Sequence, residues 1–450
     1  MKLNTAVKTN IRTHEGAPAA RIGAEEELRR SVMACMLWED SFYESGASIA
    51  ERIKTLVAQS RPEFVAAVAA HARWDMKLRH VPLLIVREMA RLPNHKGLVS
   101  KLLPDVIGRP DEITEFLAIY WAEKRQPVSA QVKKGLAVAF RKFSEYELAK
   151  YDRDGAVKLR DALFLSHSKP ENATVRHTKL ERKAGEYELT KGEALYKAIV
   201  DGTLKTPDTW EVALSGGADP KEAFSRLMSE KKLGALAFIR NLRNMKAAGI
   251  DKAEVEAYAA TVKLDRVLPF RFIAAARACP GWEDVVEPMM LRCLEGQEKL
   301  PGKTAIVVDN SGSMRGTRVS KKSDIDRSDA ACAVAILVRE VCASCVVIGF
   351  GSAAALIPPR RGFALADAIK TGPGGGTDTR QAVDLAAREG YDRIIVITDE
   401  QSHTVVPAPK GVGYFINVAN EKNGIGYGAW THIDGWSEAI LDYIRQAECG

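Results

Sequence analysis

The chain has 450 residues, of which 46% are hydrophobic and 27% charged, and its formal net charge is +7 at pH 7. This length exceeds one ordinary hydrophobic core and predicts two or three domains, and the composition is that of a globular protein. No apolar run approaches the ~20 residues that span a bilayer, and the N-terminal segment lacks the apolar core of a secretory signal, so we expect neither membrane association nor secretion.

The seven cysteines are scattered and odd in number. This pattern favours a reducing compartment over a disulfide framework, so we expect a cytoplasmic protein. Residues 301–450 hold 16 Lys and Arg against 17 Asp and Glu, which leaves 49 against 41 in residues 1–300. The positive excess therefore lies in the N-terminal part, where it fits either a polyanionic partner or an ordinary solvated surface.

Residues 20–300 are predicted to form one α-helix after another. Apolar residues recur there at three- and four-residue spacing, and short Pro, Gly or Asn breaks separate the periodic stretches. Strand-like alternation is scarce, so the region is typical of an α-solenoid with HEAT-like repeats. The clearest helical stretches are AEEELRRSVMACMLWED, SIAERIKTLVAQS, PEFVAAVAAHARWDM, VPLLIVREMARLP and GLVSKLLPDVIG.

The sequence pattern changes near Pro301 and Gly302. From there to the C-terminus, short runs rich in Val and Ile alternate with helical stretches, which predicts a parallel, doubly wound α/β sheet. The predicted strands are TAIVVD, CVVIGFG, DRIIVITD and VGYFINVA, and the predicted helices are DAACAVAILVREV, FALADAIKT, TRQAVDLAAREG and SEAILDYIRQ.

The first of these strands runs into the sequence DNSGS, which sets Asp309, Ser311 and Ser313 at alternate positions of a turn. Thr377 follows a glycine-rich turn, and Asp399 follows another apolar strand. Ligands of doubly wound sheets bind beyond the carboxyl ends of the strands, so these five residues could converge there. Carboxylates combined with neutral hydroxyls suit a hard divalent cation, most of all Mg²⁺. Taken singly, each piece could instead be a helix N-cap or a turn.

This set of five residues resembles the metal-ion-dependent adhesion site of von Willebrand factor A-type domains. Such a site combines D-x-S-x-S, a Thr after a glycine-rich turn and an Asp after a later strand. The resemblance implies that a carboxylate from a partner protein takes the open position on the metal. The metal would then be a docking point for the partner and not a catalyst. A nucleophilic Asp309 is disfavoured, because Ser311 stands where aspartyl-phosphate enzymes need a second acid.

Residues 131–170 carry a dense run of cations. On a helix at 100° per residue, the first part has an apolar face that should be buried and a cationic face that could contact phosphates. Interleaved acids leave a solvated helix face as the alternative. The apolar set is Val132, Leu136, Ala139, Phe140 and Phe143; the candidate set for contact with RNA or DNA is Lys133, Lys134, Arg141, Lys142, Lys150, Arg160 and His167.

The same stretch resembles the TROVE module of the Ro autoantigen family. The motifs that carry the resemblance are KKGL, LAKY, LRDALFLSHSKP, TWEVALS, KLGALAFIRNLRNM and LPFRFIAAARA, and THEGAPA and LWEDSFYESG near the N-terminus fit as well. The resemblance assigns residues 10–298 to the TROVE domain and residues 302–447 to the adhesion-type domain, in the family's own order. The compact chain indicates a bacterial or phage member.

The resemblance implies a ring of HEAT-like helical repeats that the α/β domain helps to close. It implies a non-enzymatic ribonucleoprotein component that acts in noncoding RNA quality control. Small noncoding Y-type RNA would bind an outer basic face, and single-stranded 3′ ends of defective RNAs would enter a central hole. An exoribonuclease could be tethered through the RNA. Lys150 and His167 match RNA-contacting positions of the family, whereas the other five candidates come from the helical wheel and local charge.

Two other classes of function stay open at this point. The first is a protein–protein adaptor that docks a partner carboxylate at the metal, and the second is a metal-dependent hydrolase acting on RNA. The basic segment Ile239–Asn244 could line the central hole, or Asn241 could make hydrogen bonds between helices. Cys342 and Cys345 are expected to be a buried structural pair and not a metal or redox site.

Overall fold

The structure of the chain is a computed structural model. Its residues form two compact units, one made of residues 53–212 and the other of residues up to 52 together with those from 213 onward. The predicted domain ends at residues 10 and 447, most of THEGAPA and LWEDSFYESG, and most of the predicted helix SEAILDYIRQ fall outside the described residues. The structure describes residues 17, 23–33, 46–75, 78–152, 155–170, 189–264, 267, 270–295, 297–316, 325–419, 424–425, 428–434, 440–441, 444–445 and 448.

The described part of the chain before residue 300 contains helices and no strand, as the helical periodicity predicts. Most of these helices are of ordinary length and are joined by short turns, in keeping with helical repeats. In chain order they are α1 (Ala24–Met33), α2 (Gly46–Gln59), α3 (Pro62–Trp74), α4 (His80–Arg91), α5 (Lys96–Val106), α6 (Asp111–Trp121), α7 (Ala130–Phe140), α8 (Glu145–Tyr151), α9 (Leu159–Ser166), α10 (Lys191–Asp201), α11 (Trp210–Ser215), α12 (Pro220–Ser229), α13 (Ala235–Ala247), α14 (Lys252–Thr261), α15 (Phe270–Ala278) and α16 (Glu283–Leu294).

Helix α7 shows how the apolar pattern produces packing in the unit of residues 53–212. All five side chains of the predicted apolar face are buried. Ser129 caps the helix by accepting a hydrogen bond from the Val132 amide, which satisfies one of the free donors of the first turn. Gly135 lies against Leu103 of α5, and a Cβ at that position would come within 2.9 Å of the Leu103 Cβ. The close approach of α5 and α7 therefore depends on a glycine at position 135.

A buried ion-pair network ties α3 to α6 in the same unit. The Glu112 side chain is fully buried, and both of its oxygens lie 3.0 Å from Arg73 Nη2. Arg79 Nε donates to the same carboxylate at 3.2 Å, and the Gly108 amide donates to it at 2.8 Å. A carboxylate without water is stable only with such partners, so this network fixes the relative position of the two helices.

The α/β layer consists of six strands in the order β3-β2-β1-β4-β5-β6. Strands β2, β1, β4, β5 and β6 are mutually parallel, and β3 runs antiparallel to β2. The strands are β1 (Leu300–Asp309), β2 (Cys342–Phe350), β3 (Ala354–Leu356), β4 (Arg393–Thr398), β5 (Val412–Asn417) and β6 (Thr431–Asp434), and the helices between them are α17 (Arg327–Val341), α18 (Gly362–Lys370) and α19 (Thr379–Glu389).

The four strands and three of the helices predicted for this layer are confirmed, and the doubly wound α/β fold with them. Strand β4 is buried at every position, which is why its sequence shows no alternation. The four predicted strands are mutually parallel, and the sheet departs from this only at one edge, where β3 pairs antiparallel with β2. Strands β3 and β6 have only three and four residues, too few for a periodic signal.

The last helices before the sheet pack in the same unit as the sheet. Arg277 of α15 donates to Asp329 of α17, with Nη2 2.6 Å from Oδ1. Glu287 of α16 accepts a hydrogen bond from the Phe363 amide of α18 at 2.6 Å. These contacts join elements on both sides of residue 300, so the boundary that the sequence places there is a change of secondary structure within one compact unit.

Candidate functional site

The candidate metal centre lies where two neighbouring parallel strands end. Asp309 is the last residue of β1, and Asp399 directly follows β4. Strand β1 pairs with β2 on one side and with β4 on the other, so the strand order reverses between β1 and β4. Such a switch point leaves a crevice at the carboxyl ends of the strands, which is where doubly wound sheets bind ligands.

Asp309 is 1% exposed. Its Oδ1 accepts a hydrogen bond from the Ser311 amide at 2.8 Å, and its Oδ2 accepts one from Thr398 Oγ1 at 2.6 Å. Burial and the neighbouring Asp399 carboxylate raise the pKa of Asp309 to about 7. Two buried carboxylates side by side repel each other, and a bound cation would relieve that repulsion.

Asp399 is fully buried and has a cationic neighbour within the protein. Arg327, the first residue of α17 and itself 3% exposed, places Nη1 3.4 Å from Asp399 Oδ2. The Gln401 amide donates to the other oxygen, Oδ1, at 3.2 Å. Asp399 is therefore held in position from two sides, and the guanidinium offsets part of its charge.

The hydroxyls of the DNSGS turn lie beside these carboxylates. Ser311 is buried, Ser313 is half-buried, and their Oγ atoms are 3.2 Å apart. Two hydroxyl oxygens at this separation can bind one small cation together. A short 3₁₀ turn at residues 312–314 gives the loop this shape.

The glycine-rich loop brings Thr377 to the same edge. The Gly312 amide donates to the Gly375 carbonyl oxygen at 2.8 Å, which joins this loop to the serine turn. The Thr377 carbonyl oxygen accepts hydrogen bonds from Ser402 Oγ and from the His403 amide, each at 3.2 Å. Thr377 is thus fixed between the segments that follow β1 and β4, and its side chain is 6% exposed.

Asn310 organises this edge, and sequence reasoning missed it because its neighbours in the motif are the expected ligands. Its side chain is fully buried, and Nδ2 faces the carbonyl oxygens of Ile369 at 3.1 Å and of Gly372 and Pro373 at 3.2 Å. Arg315 Nε donates to Asn310 Oδ1 at 3.1 Å. Asn310 therefore anchors the loop that carries Thr377, and an asparagine within D-x-S-x-S is the signal that could have identified it.

Replacing Asn310 with alanine is expected to lower the free energy of unfolding by about 1–3 kcal/mol, because buried carbonyl oxygens lose their donor. Chemical denaturation at constant pH measures this, with Asn94→Ala at an exposed site as the matched control. An unfolding free energy equal to that of the control variant would show that Asn310 does not anchor the loop.

The donor set fits a hard divalent cation. It comprises two carboxylates and three hydroxyls, which suits Mg²⁺ with part of its water shell, and it lacks the thiolate and imidazole ligands that select zinc. In the part of the chain that the structure describes, no three His, Cys, Asp or Glu side chains cluster as metal ligands. A cation at this edge would therefore depend on the hydroxyl oxygens.

The structure brings two of the seven candidate RNA-contacting side chains together. Lys133, in the first turns of α7, places Nζ 3.5 Å from Nε2 of His167, which follows α9. His167 is exposed and ends α9 in the left-handed conformation, with φ of 54°. Ser168 Oγ donates to the Ala137 carbonyl oxygen at 3.0 Å, which holds this corner against α7. The result is a cationic corner on the surface of the unit of residues 53–212.

Four other candidates lie on the same unit. Lys134 and Arg141 are exposed. Lys150 is half-buried, with Nζ 5.8 Å from the centre of the Tyr151 ring. Arg160 is exposed on α9, and its Nε lies 3.6 Å from Asp161 Oδ1. These side chains are accessible to solvent, although Arg160 forms an ion pair with the neighbouring Asp161.

Lys142 has a different environment from the other candidates. Its Nζ donates to the carbonyl oxygens of Pro104 and, at 2.7 Å, of Ile107, at the C-terminal end of α5. Burial lowers the pKa of Lys142. Its ammonium is thus engaged with carbonyl oxygens at the helix end, where a cation is favourable, and this engagement competes with binding to a phosphate.

Two smaller expectations have outcomes in the structure. Asn241 is 2% exposed, donates to the Ala237 carbonyl oxygen at 2.8 Å and accepts from Asn244 at 2.8 Å. It therefore bonds within its own helix, while Arg240 and Arg243 are exposed. Cys342 is buried and Cys345 half-buried, both are free, and burial raises the pKa of Cys342 to about 11, as suits an inert structural thiol.

The fold defines a class of protein in which helical repeats precede a von Willebrand A-like α/β layer. The family model described as the TROVE domain matches residues 201–288. The crystal structure of the Ro (RSR) protein of Deinococcus radiodurans resembles the chain with a TM-score of 0.60 and 18% identity, over 93% of this chain and 98% of that one. That likeness shows a shared fold, and no curated protein matches the chain.

These matches confirm the resemblance to the Ro family that the sequence motifs indicate. Residues 201–288 thus match the TROVE domain, and the chain shares the fold of the Ro protein; RNA binding is the class of function that these matches support. The matched segment does not include residues 131–170, so the candidate RNA-contacting residues are not assigned by it. Among the described helices, none has the length and apolar character needed to cross a membrane.

Proposed function

We propose that this protein is a non-enzymatic RNA-binding component of a ribonucleoprotein, and that the Lys133–His167 corner contacts RNA phosphates. The observation that carries the proposal is the 3.5 Å approach of an ammonium and an imidazole on an exposed surface. Among the residues that the structure describes, no acid forms an ion pair with Lys133. A phosphate placed between Lys133 and His167 would accept hydrogen bonds from both.

The finer parts of the proposal follow from the family resemblance. A small noncoding RNA of the Y type would bind the outer basic face that Lys133, Lys134, Arg141, Lys150, Arg160 and His167 provide. Single-stranded 3′ ends of defective RNAs would enter a central hole, and selection there would be by shape and by a free end. We also propose a role in noncoding RNA quality control in the cytoplasm, with an exoribonuclease held through the bound RNA.

Binding of structured RNA to the wild-type protein tests this proposal. RNA with a single-stranded 3′ tail should bind more tightly than the same RNA with a blunt end. The affinity should fall with salt, by roughly 0.7 in log K per tenfold salt for each phosphate neutralised on a single strand. Absence of both the tail preference and the salt dependence of affinity would favour a protein–protein adaptor. Sequencing RNA crosslinked to the protein in its own cells would identify the cognate RNA.

We further propose that Asp309, Ser311, Ser313, Thr377 and Asp399 hold Mg²⁺. The buried pair of carboxylates and the raised pKa of Asp309 support a cation there. A metal with hydroxyl ligands and an open position would attract a carboxylate from a partner protein. This is the feature that favours the second candidate function, an adaptor that docks a partner acid at the metal.

A cleavage assay separates these binding functions from a hydrolase. Incubating tailed RNA with the protein and Mg²⁺ should leave the RNA intact, because the proposed metal serves as a docking point. RNA cleavage that disappears in Asp309→Ala would instead identify a metal-dependent hydrolase.

A further inference from the structure

The outer face of α9 carries an exposed aromatic ring between cationic groups. Phe164 is 60% exposed, which is a large fraction for an apolar side chain. Arg160 lies four residues earlier on the same helix, so the two side chains are neighbours on one face. The opposite face is the one that packs, and its buried residues are Leu159, Ala162, Leu163 and Ser166.

The Lys133–His167 corner lies at the C-terminal end of this face. The His167 amide donates to the Phe164 carbonyl oxygen at 3.3 Å, so the left-handed turn that positions the imidazole is fixed to the residue that carries the ring. Arg160, Phe164 and His167 therefore follow one another along one side of α9, and Lys133 stands beside the last of them. The ring is bordered by cations at both ends.

An exposed phenylalanine leaves apolar surface in contact with water, and a planar partner stacked on the ring would bury that surface. Cations that bind phosphates, interleaved with an aromatic ring that stacks on bases, are the combination found in single-strand binding sites. A purely apolar protein partner fits this surface less well, because covering the ring would also desolvate Lys133 without giving it an anionic partner.

We propose that Phe164 is a stacking platform for an unpaired base of single-stranded RNA, while Arg160 and the Lys133–His167 corner hold the phosphates on either side. This inference rests on the proposed function and names the form of RNA that this face takes. Bases inside a duplex are already stacked on their neighbours, so duplex RNA would gain only the phosphate contacts.

Binding of a single-stranded RNA oligonucleotide and of a matched RNA duplex to Phe164 variants tests the inference. Phe164→Ala should weaken single-strand binding about 5- to 150-fold, the range of one lost stacking contact. Phe164→Trp should restore it, whereas Phe164→Leu should not, because leucine is apolar but has no π-face. Duplex affinity and the slope of log K against log salt should stay at wild-type values, because no charge is removed.

Val405→Ala is the matched control, since Val405 is an apolar side chain of similar exposure, 61%, on the other unit. If the wild-type protein binds single strands and Lys133→Ala weakens that binding while Phe164→Ala does not, the stacking role is overturned and the proposed function stands. Wild-type binding by Phe164→Leu would also overturn it, because aromaticity would then be unnecessary. A wild-type protein that binds no RNA would instead refute the proposed function.

Discussion

Replacing Lys133 with alanine is expected to weaken RNA binding about 10- to 100-fold, and replacing His167 should have a similar effect. Each substitution removes a charge-assisted hydrogen bond to phosphate, worth roughly 1.5–3 kcal/mol. Because the two side chains lie 3.5 Å apart and would share one phosphate, the double variant should lose less than the product of the single effects. Filter binding or anisotropy with tailed RNA, run as a double-mutant cycle, measures the coupling.

Two lysine variants provide controls for this prediction. Lys410→Ala removes one positive charge from an exposed position on the other unit, so it reports on net charge alone. Lys142→Ala removes a cation whose ammonium already binds carbonyl oxygens, so it should reduce stability more than RNA affinity. If Lys410→Ala weakened binding as much as Lys133→Ala, the effect would be non-specific attraction, and the assignment of this corner would be wrong.

The Asp309→Asn variant is expected to lose the stabilisation that Mg²⁺ gives the wild-type protein. A ligand at a hundred times its dissociation constant stabilises the folded state by about 2.7 kcal/mol, which corresponds to several degrees in the unfolding temperature of a unit of this size. Without metal, Asp309→Asn should be the more stable protein at neutral pH, because an amide removes the repulsion between two buried carboxylates. Thermal unfolding with EDTA and with Mg²⁺ measures both effects.

The contribution of Asp309 to the stability of the metal-free protein should depend on pH with a definite sign. The folded protein holds the Asp309 proton to about pH 7, whereas an unfolded aspartate loses it near pH 4. This group therefore favours the metal-free folded state below about pH 4, and that contribution is lost as the pH rises to about 7. Above pH 7 the Asp309 carboxylate is ionised and can bind a cation. The increase in unfolding temperature that Mg²⁺ causes should therefore be larger at pH 8 than at pH 6.

Asp367→Asn is the matched control for the Asp309 variant, since Asp367 is an exposed aspartate of the same unit. It should respond to Mg²⁺ and to pH as the wild-type protein does. If Mg²⁺ still raised the unfolding temperature of Asp309→Asn as it does that of the wild-type protein, the cation would bind elsewhere. The proposal of a metal at the switch point would then have to be abandoned.

Much of the architecture could be predicted because the spacing of apolar residues along the chain indicates which segments form helices and strands. Three- and four-residue spacing identified α3, α4 and α5, and the apolar face of α7 is buried as the helical wheel predicts. Flat runs of Val and Ile identified β1 and β4; Asp309 ends β1, and Asp399 directly follows β4. The family motifs added the Ro resemblance, which the TROVE match over residues 201–288 and the shared fold confirm.

Local sequence pattern therefore identifies many of the helices, four of the six described strands, and the acids at the ends of β1 and β4. The pairs of side chains that meet could be identified only in the folded chain. Arg327 lies 72 positions from Asp399, and His167 lies 34 from Lys133. Lys142 reaches carbonyl oxygens at the C-terminal end of α5, 38 and 35 positions away. Periodicity reports the environment of each segment along the chain, whereas these pairs depend on how distant segments pack, and packing is set by the whole core at once.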